Sequence, residues 1–166
     1  MDRLYTPWRL DYVRSDKEAG GCIFCNCLHG GDEENYILHR SRHWFLILNR
    51  YPYNSGHVLL VTNRHLGALS ECVDEEVVDL AVLMQAVERA VREVYRPHGI
   101  NCGYNGGGAA GAGIPAHFHV HLLPRWSADT NFISVVGDTR ILPETLDDSF
   151  AGLRPALTKA LEGKGL

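Results

Sequence analysis

The chain shows no excess of basic residues. Its 166 residues hold 16 Lys and Arg against 20 Asp and Glu, a formal net charge of -4 with histidine neutral. A protein that neutralises many phosphates of a nucleic acid normally has the opposite imbalance. We therefore expect no nucleic-acid partner.

Long apolar runs are also missing. The longest, such as Trp44–Leu48 and Val58–Val61, have the length of a β-strand, whereas a membrane helix needs about 20 apolar residues. The first residues, Met1–Trp8, contain no apolar signal region. We expect no membrane partner and a cytoplasmic location.

Cysteines are few, odd in number and unevenly placed. Three of the five lie in the stretch Cys22–Cys27, whereas the cysteines of a secreted disulfide framework pair off and are spread along the chain. Cys22 and Cys25 form a Cys-x-x-Cys pair that favours a metal site, with a reduced, metal-free pair as the alternative. Zinc needs two more ligands, and no second Cys-x-x-Cys is present, so histidines are the natural source, with Cys27 as a rival. Cys72 and Cys102 are expected in the core.

The spacing of apolar residues predicts one α+β domain built around an antiparallel sheet. A long helix is predicted over Asp74–Tyr95, where apolar residues recur at three- and four-residue steps, and a shorter one over Asp148–Leu161. Residues 1–35 are expected to be irregular. The predicted strands are Trp44–Asn49, His57–Thr62, Ile100–Asn105 and His117–Leu123. The first two strands are joined by a short polar link, so they should be antiparallel neighbours.

Three histidines alternate with apolar residues in the last of these strands. On a strand, residues two apart share a face, so His117, His119 and His121 project together, with roughly 6–7 Å between successive Cα atoms. The opposite face is consistently apolar, which favours a functional cluster over three solvated surface histidines. Such histidines can act as nucleophile, acid–base catalyst or metal ligand. A dinuclear metal hydrolase is disfavoured, because Leu122-Leu123 replaces the aspartate that such enzymes place after a histidine pair.

A glycine-rich loop leads into the histidine strand. Six glycines fall between Gly103 and Gly113, and glycine lets backbone N–H groups approach an anion closely. No Gly-Lys-Ser/Thr follows, so the loop is not a Walker loop. The neighbouring histidines favour a phosphate-binding loop over a flexible turn.

Residues 117–123 match at every position the signature His-φ-His-φ-His-φ-φ, with φ apolar, and the sequence therefore resembles the histidine triad (HIT) superfamily. The resemblance covers about residues 36–133 and the N-terminal cysteine pair. Other segments carry it too: Leu48–Pro52, Gly56–Val61 and Asn63–Leu66 are similar to the paired strands of the family and the loop after them. The branch it most resembles is that of the bacterial diadenosine-polyphosphate phosphorylases and hydrolases, on Thr6–Arg9, Pro97–Gly99, Pro124–Trp126 and Asn131-Phe132.

The resemblance implies cleavage of dinucleoside polyphosphates through a covalent intermediate. His119 would attack the α-phosphorus, expel the polyphosphate and form a nucleotidyl-histidine, which water or phosphate would then resolve. His121 and His57 would contact α-phosphate oxygens, and Asn49 the ribose. The departing phosphates would be held by Asn105 and the glycine loop, in particular Gly106, Gly107 and Gly113. The implied mechanism needs no metal, and Mg²⁺ enters only as a companion of the substrate polyphosphate.

Zinc-containing relatives imply a structural zinc site made by Cys22, Cys25, His65 and His117. This site would tether residues 1–35 to a core of residues 36–133, and residues 134–166 would form a C-terminal extension with a helix, all within one HIT-like domain. Many relatives pair through the long helix and a core strand, so a homodimer is implied.

The chain departs from the family pattern just before the triad. Many hydrolases of the superfamily have a polar Gln, Ser or Thr there, whereas residues 109–116 of this chain offer no side-chain donor. The choice between water and phosphate as acceptor therefore stays open. Two alternative functions also stay open, a purine nucleoside phosphoramidase and a zinc-stabilised nucleotide-binding module with little turnover.

Overall fold

A computed structural model describes residues 21–127, 129, 136 and 142–164. The strands of this part are β1 (Ile37–Arg40), β2 (Trp44–Leu48), β3 (Val58–Thr62), β4 (Gly99–Gly103) and β5 (His119–Arg125). The helices are α1 (Ile23–His29), α2 (Asp32–Asn35), α3 (Asp74–Tyr95) and α4 (Leu146–Leu161), with short 3₁₀ turns at Leu69–Glu71 and Gly108–Ala110. None of the described helices has the length and apolar character that crossing a membrane requires.

The five strands form one antiparallel sheet in the order β1-β2-β3-β5-β4. Strands β2 and β3 pair from Trp44 opposite Thr62 to Leu48 opposite Val58, as their short polar link predicts. The α+β architecture with one long and one shorter helix is confirmed. Strand β1 was not anticipated, because its four residues are too few to show a clear alternation.

The long helix α3 has the bounds that the sequence predicts. At its start the Glu76 carboxylate accepts a hydrogen bond from the Val73 backbone N–H at 2.9 Å, which satisfies one of the unpaired donors of a helix N-terminus. At its end Arg96 adopts a left-handed conformation with φ 45°, and Pro97 follows. Helix α4 starts two residues earlier than predicted, because the Thr145 hydroxyl caps it by accepting from the Asp148 N–H.

The two faces of the sheet are covered differently. Helices α3 and α4 cover one face, where Phe118, Val120 and Leu122 join the larger hydrophobic cluster as predicted. The other face carries a smaller cluster that includes Phe45, Ile47, Leu59 and Val61 and is covered by Phe24 and Cys27 of α1. The histidines of β5 alternate with core residues and therefore project toward the α1 side.

Four local predictions are wrong. Residues 21–35 are not irregular, because Phe24 and Cys27 lie one helical turn apart and bury together against the sheet. Strand β5 begins at His119 rather than His117, since the Phe118 N–H donates to the carbonyl of Leu66 at 2.6 Å, outside the sheet ladder. Strand β4 ends at Gly103 rather than Asn105, and Cys102 on this edge strand is exposed rather than in the core. Cys72 is partly buried and packs against the larger hydrophobic cluster, as the sequence predicts.

Some predictions fall outside the described residues. These are the family-like segments Thr6–Arg9 and Asn131-Phe132 and the proposed boundary at residue 133. The division into a tethered segment, a core and a C-terminal extension stays a prediction, although Leu153 and Leu157 of α4 pack into the same cluster as the sheet.

Candidate functional site

Two cysteines and two histidines converge where α1 meets the end of β3 and the start of β5. Cys22 is the N-cap residue of α1 and Cys25 lies in its first turn, while His65 follows β3 and His117 precedes β5. Their candidate ligand atoms all lie within 4.8 Å of one another. The individual separations are 3.2 Å for Cys22 Sγ to His117 Nδ1, 3.3 Å for Cys25 Sγ to His65 Nδ1 and 3.6 Å for Cys25 Sγ to His117 Nδ1. Tetrahedral zinc bonds of about 2.3 Å to sulfur and about 2.0 Å to nitrogen separate ligand atoms by about 3.5 Å. The four side chains therefore fit a closed metal site.

The surroundings of the cluster orient its two histidines. The buried His117 ring places Nε2 2.8 Å from the carbonyl oxygen of Thr62, so Nε2 carries the hydrogen and Nδ1 keeps its lone pair for a metal. The loop that bears His65 is held by the preceding residue, because both ends of the Arg64 guanidinium donate to the Glu76 carboxylate at 2.7 Å. Cys27, the rival ligand, lies outside the cluster and donates to the Asn35 side-chain oxygen instead.

His119 is held with one ring nitrogen available for attack. Its Nδ1–H donates to the backbone carbonyl of His117 at 2.8 Å, which leaves the lone pair on Nε2. The ring is 7% exposed, and its centroid lies 5.0 Å from the Phe24 ring. Burial lowers the pKa of His119 below its ordinary value, so the imidazole is neutral at pH 7. A neutral imidazole with a free nitrogen can act as a nucleophile.

His57 and His121 form a hydrogen-bonded pair beside it. The Tyr53 backbone N–H donates to His57 Nδ1 at 3.1 Å, so His57 carries its hydrogen on Nε2 and donates it to His121 Nδ1 at 2.9 Å. His121 in turn carries its hydrogen on Nε2. Burial, followed by the neighbouring histidines, lowers the pKa of His57 to about 3 and that of His121 to about 4. The pair is therefore neutral at pH 7, and its free hydrogen-bonding atom is an N–H donor on His121.

An open cleft adjoins the histidines. It has a volume of about 900 Å³ when the space open to solvent is included. Its apolar wall includes Phe24 and Cys27 of α1 and Ile47 of β2, and its polar groups include Asn49 and His121. This combination suits a ligand with a flat apolar ring and a polar tail.

The structure gathers most, but not all, of the predicted substrate residues in this cleft. Asn49, Asn105 and Gly113 line it, together with His121, whereas Gly106 and Gly107 do not. His119 and His57 do not line it either. They adjoin it through His121, whose ring centroid lies 5.1 Å from that of each of these two histidines.

Sequence reasoning missed the α1 wall and Tyr53. The wall had a signal, because Ile23, Phe24 and Cys27 follow helical spacing within the Cys-x-x-Cys stretch. Tyr53 had none, because no local pattern shows that its backbone N–H donates to His57 or that its ring packs against His57 and His121, with centroids 4.7 and 5.8 Å away.

Known proteins resemble this chain over the region that contains the histidines described above. A family model described as HIT domain matches residues 31–128. The chain is 35% identical over 157 residues to an AP-4-A phosphorylase of Mycobacterium tuberculosis, covering 90% of this chain and 80% of that protein. It is 30% identical over 93 residues to the asymmetrical bis(5'-nucleosyl)-tetraphosphatase of Schizosaccharomyces pombe, covering 56% of this chain and 50% of the relative. Its structure is similar to that of a Zn-bound histidine triad family protein from Mycobacterium smegmatis, with a TM-score of 0.68, 28% identity and coverage of 84% and 94% of the two chains.

Proposed function

The chain belongs to the HIT family of nucleotide hydrolases and transferases, and from this premise we propose that it cleaves dinucleoside polyphosphates of the diadenosine tetraphosphate type at the α-phosphate. The reaction passes through a covalent nucleotidyl-histidine on His119. The observation that carries the proposal is the Nδ1–H of His119 donating to the His117 carbonyl, which directs a neutral Nε2 lone pair away from the strand. The names of the mycobacterial and yeast relatives, an AP-4-A phosphorylase and a bis(5'-nucleosyl)-tetraphosphatase, support the substrate class.

The chemistry divides into two displacements. In the first, His119 Nε2 forms a bond to the α-phosphorus while the bond to the bridging oxygen breaks and the nucleoside polyphosphate leaves with the electron pair. In the second, an oxygen of water or inorganic phosphate attacks the same phosphorus and the imidazole leaves. Two easier displacements at the α-phosphorus, the second with imidazole as a good leaving group, replace one difficult displacement. The N–H of His121, fixed by His57, donates to a phosphate oxygen and stabilises charge there.

The cleft supplies the binding groups for the transferred nucleotide. The base packs between the apolar residues of α1 and Ile47, and Asn49 binds the ribose. Asn105 and Gly113, which line the cleft, bind the departing phosphates, and Gly106 and Gly107 are proposed for the same role from the family resemblance. Mg²⁺ accompanies the polyphosphate and takes no part in the displacement.

A structural zinc ion is part of the proposal. The ligand separations and the Zn-bound relative support it. A closed Cys₂His₂ set leaves no open position for catalysis, so zinc would stabilise the contact between α1 and the sheet. Thiolate ligands also favour a reducing compartment, and we expect the cytoplasm.

We expect a homodimer as well. Strand β4 lies at the edge of the sheet, and α3 exposes Val77 and Val78 at 41% and 62%, which is an apolar surface suited to a second copy. Small-angle scattering should give twice the chain mass of 18.5 kDa. A monomer would refute the dimer without affecting the chemistry.

Product analysis tests the proposed reaction. Purified protein is incubated with diadenosine tetraphosphate, with and without inorganic phosphate, and the nucleotides are resolved by chromatography. ADP plus ATP formed only with phosphate identifies a phosphorylase, and AMP plus ATP formed without phosphate identifies a hydrolase. If neither pair forms, the polyphosphate substrate is wrong. Adenosine 5'-phosphoramidate, assayed in parallel, then separates a phosphoramidase from a nucleotide-binding module.

A further inference from the structure

A buried polar network anchors the turn between β2 and β3 to the end of β5. Asn54 in this turn is 7% exposed, and its side-chain NH₂ group donates to the Pro124 carbonyl at 3.1 Å and to Asp129 Oδ2 at 3.0 Å. A buried amide is costly unless it is hydrogen-bonded. These two bonds therefore fix where the turn lies relative to the strand that carries His119 and His121.

The acceptor Asp129 is itself held firmly. Arg125 donates to both of its carboxylate oxygens, from Nε at 2.6 Å and from Nη2 at 3.0 Å, and the Trp126 backbone N–H donates at 3.2 Å. Arg125 also donates from Nη1 to the Asn101 side-chain oxygen on β4 at 2.7 Å. The Arg125 guanidinium holds the pKa of Asp129 far below its usual range. The carboxylate is thus a permanent acceptor, and Asn54 can present only its NH₂ group to it.

The turn that Asn54 fixes also presents a donor to His57. Tyr53 immediately precedes Asn54, and its N–H donates to His57 Nδ1 at 3.1 Å. The Asn49 side-chain NH₂ group lies 3.3 Å from the same nitrogen, and it is oriented by the Tyr51 N–H of this turn, which donates to the Asn49 side-chain oxygen at 3.0 Å. Gly56, in a left-handed conformation with φ 72°, lies on the other side of Asn54, and a Cβ there would come 2.4 Å from the Tyr95 ring. The turn is therefore constrained on both sides of Asn54. Which nitrogen of a neutral imidazole is protonated is set by the hydrogen bond that the other nitrogen makes. With the Tyr53 N–H and the Asn49 NH₂ group in place, the hydrogens of His57 and His121 both lie on Nε2.

We propose that Asn54, Asp129 and Arg125 are positioning residues that set the tautomers of the His57–His121 pair, so that His121 offers the substrate an N–H donor rather than a lone pair. Without the network, the turn that carries Tyr51 and Tyr53 shifts, so the Tyr53 N–H moves away from His57 Nδ1 and the Asn49 amide loses the Tyr51 N–H that orients it. His57 can then carry its hydrogen on Nδ1 and accept from His121, whose outward nitrogen becomes a lone pair that repels a phosphate oxygen. The kinetic consequence rests on the proposed function, whereas the tautomer assignment does not.

The test measures tautomers directly. Long-range ¹H–¹⁵N correlation spectra of ¹⁵N-histidine-labelled protein without substrate report which nitrogen of His57 and His121 is protonated. The wild-type chain should show Nε2–H on both. Asp129→Asn, which keeps the shape but removes the charge, and Asn54→Ala should each add a second tautomer at His57. Glu93→Gln, which removes the exposed ion pair with Lys159, is the matched control and should leave the spectra unchanged.

Kinetics supplies the second readout. With diadenosine tetraphosphate, Asp129→Asn and Asn54→Ala should lower kcat by roughly 10²-fold, as expected for a misplaced catalytic group, while KM changes by a much smaller factor. Wild-type tautomers in folded Asp129→Asn, or Nδ1–H on His121 in the wild-type chain, would overturn the proposal. If Asn54→Ala does not fold, Asp129→Asn decides alone. If the wild-type chain shows no turnover, the proposed function is contradicted. The tautomer spectra, recorded without substrate, still test whether Asn54, Asp129 and Arg125 set the tautomers.

Discussion

The roles of the triad histidines depend on which ring nitrogen of each carries a hydrogen. His117 donates from Nε2 to the Thr62 carbonyl and turns Nδ1 to the cysteines of the candidate metal site, whereas His119 donates from Nδ1 to the His117 carbonyl and keeps a lone pair on Nε2. His121 accepts at Nδ1 from His57 and keeps an N–H on Nε2. In the proposed function, the same residue type therefore supplies a metal ligand, a nucleophile and a donor. This difference comes from the hydrogen-bond partners and is invisible in the sequence motif.

Replacing the nucleophile should separate binding from turnover. We expect His119→Ala to abolish product formation, because no other described histidine holds a comparable free nitrogen beside the cleft, while AMP affinity by calorimetry stays within about tenfold of the wild-type value. His29→Ala, at an exposed position of α1, is the control and should be fully active. Strong activity in His119→Ala would disprove the nucleophile assignment.

The pairing of Glu76 with Arg64 should make stability depend on pH. Hydrogen bonds from Arg64 lower the pKa of Glu76 from 4.5 to about 2 in the folded chain. The unfolded chain therefore binds the proton first, so the stabilisation is complete above pH 4.5 and is lost as the pH falls to about 2. We expect Glu76→Gln to lose on the order of 2 kcal/mol of unfolding free energy at neutral pH and to show a flatter pH dependence in this window.

Urea unfolding of the wild-type chain and Glu76→Gln across this pH range measures the effect, with Glu93→Gln as the control for an exposed carboxylate. Equal pH slopes for Glu76→Gln and the wild-type chain would mean that the Arg64 pairing contributes no net stability.

Among the elements, helix α1 contributes residues to both the candidate metal site and the cleft. Cys22 and Cys25 face the metal cluster, while Ile23, Phe24 and Cys27 line the cleft. A seven-residue helix is too short to be stable alone in water, so it depends on its contact with the sheet and, in the proposed function, on the zinc ion as well. This dependence explains why the apolar spacing in the sequence predicted α3 and α4 but not α1.

Loss of one thiolate ligand should therefore affect metal, stability and nucleotide binding together. In Cys22→Ser we expect zinc content by plasma mass spectrometry to fall well below one per chain, the thermal midpoint to drop, and AMP to bind more weakly because α1 forms part of the cleft. Cys102→Ser makes the same change at an exposed cysteine on β4 and should alter none of the three. Stoichiometric zinc in Cys22→Ser would show that the ligand set is wrong.

At the scale of the whole molecule, the sheet separates a face that packs against α3 and α4 from a face that carries the triad histidines and packs against α1. The alternation of His119, Val120, His121 and Leu122 was enough to predict this separation, and a strand-sized pair of apolar runs was enough to predict that β2 and β3 are neighbours. The contact between Asn54 and Asp129 joins residues 75 positions apart. No local pattern encodes such a contact, because it depends on the register of β5 against the β2–β3 turn.

Chelation distinguishes a structural metal from a catalytic one. With Mg²⁺ kept in excess of the chelator, we expect EDTA to leave the initial rate of polyphosphate cleavage unchanged, and activity to fall later, in parallel with zinc release and loss of the circular dichroism signal. The physical reason is that zinc stabilises α1 and does not touch the phosphate. Immediate loss of activity with an intact spectrum would instead indicate a metal hydrolase.

The most direct measurement of the central claim is the intact mass of the protein after an alkaline quench during turnover of diadenosine tetraphosphate, because a phosphoramidate bond survives base. The account predicts an adduct of one AMP per chain, localised by fragmentation to His119 and absent from His119→Ala. An adduct on another residue, or product formation at the wild-type rate by His119→Ala, would contradict it.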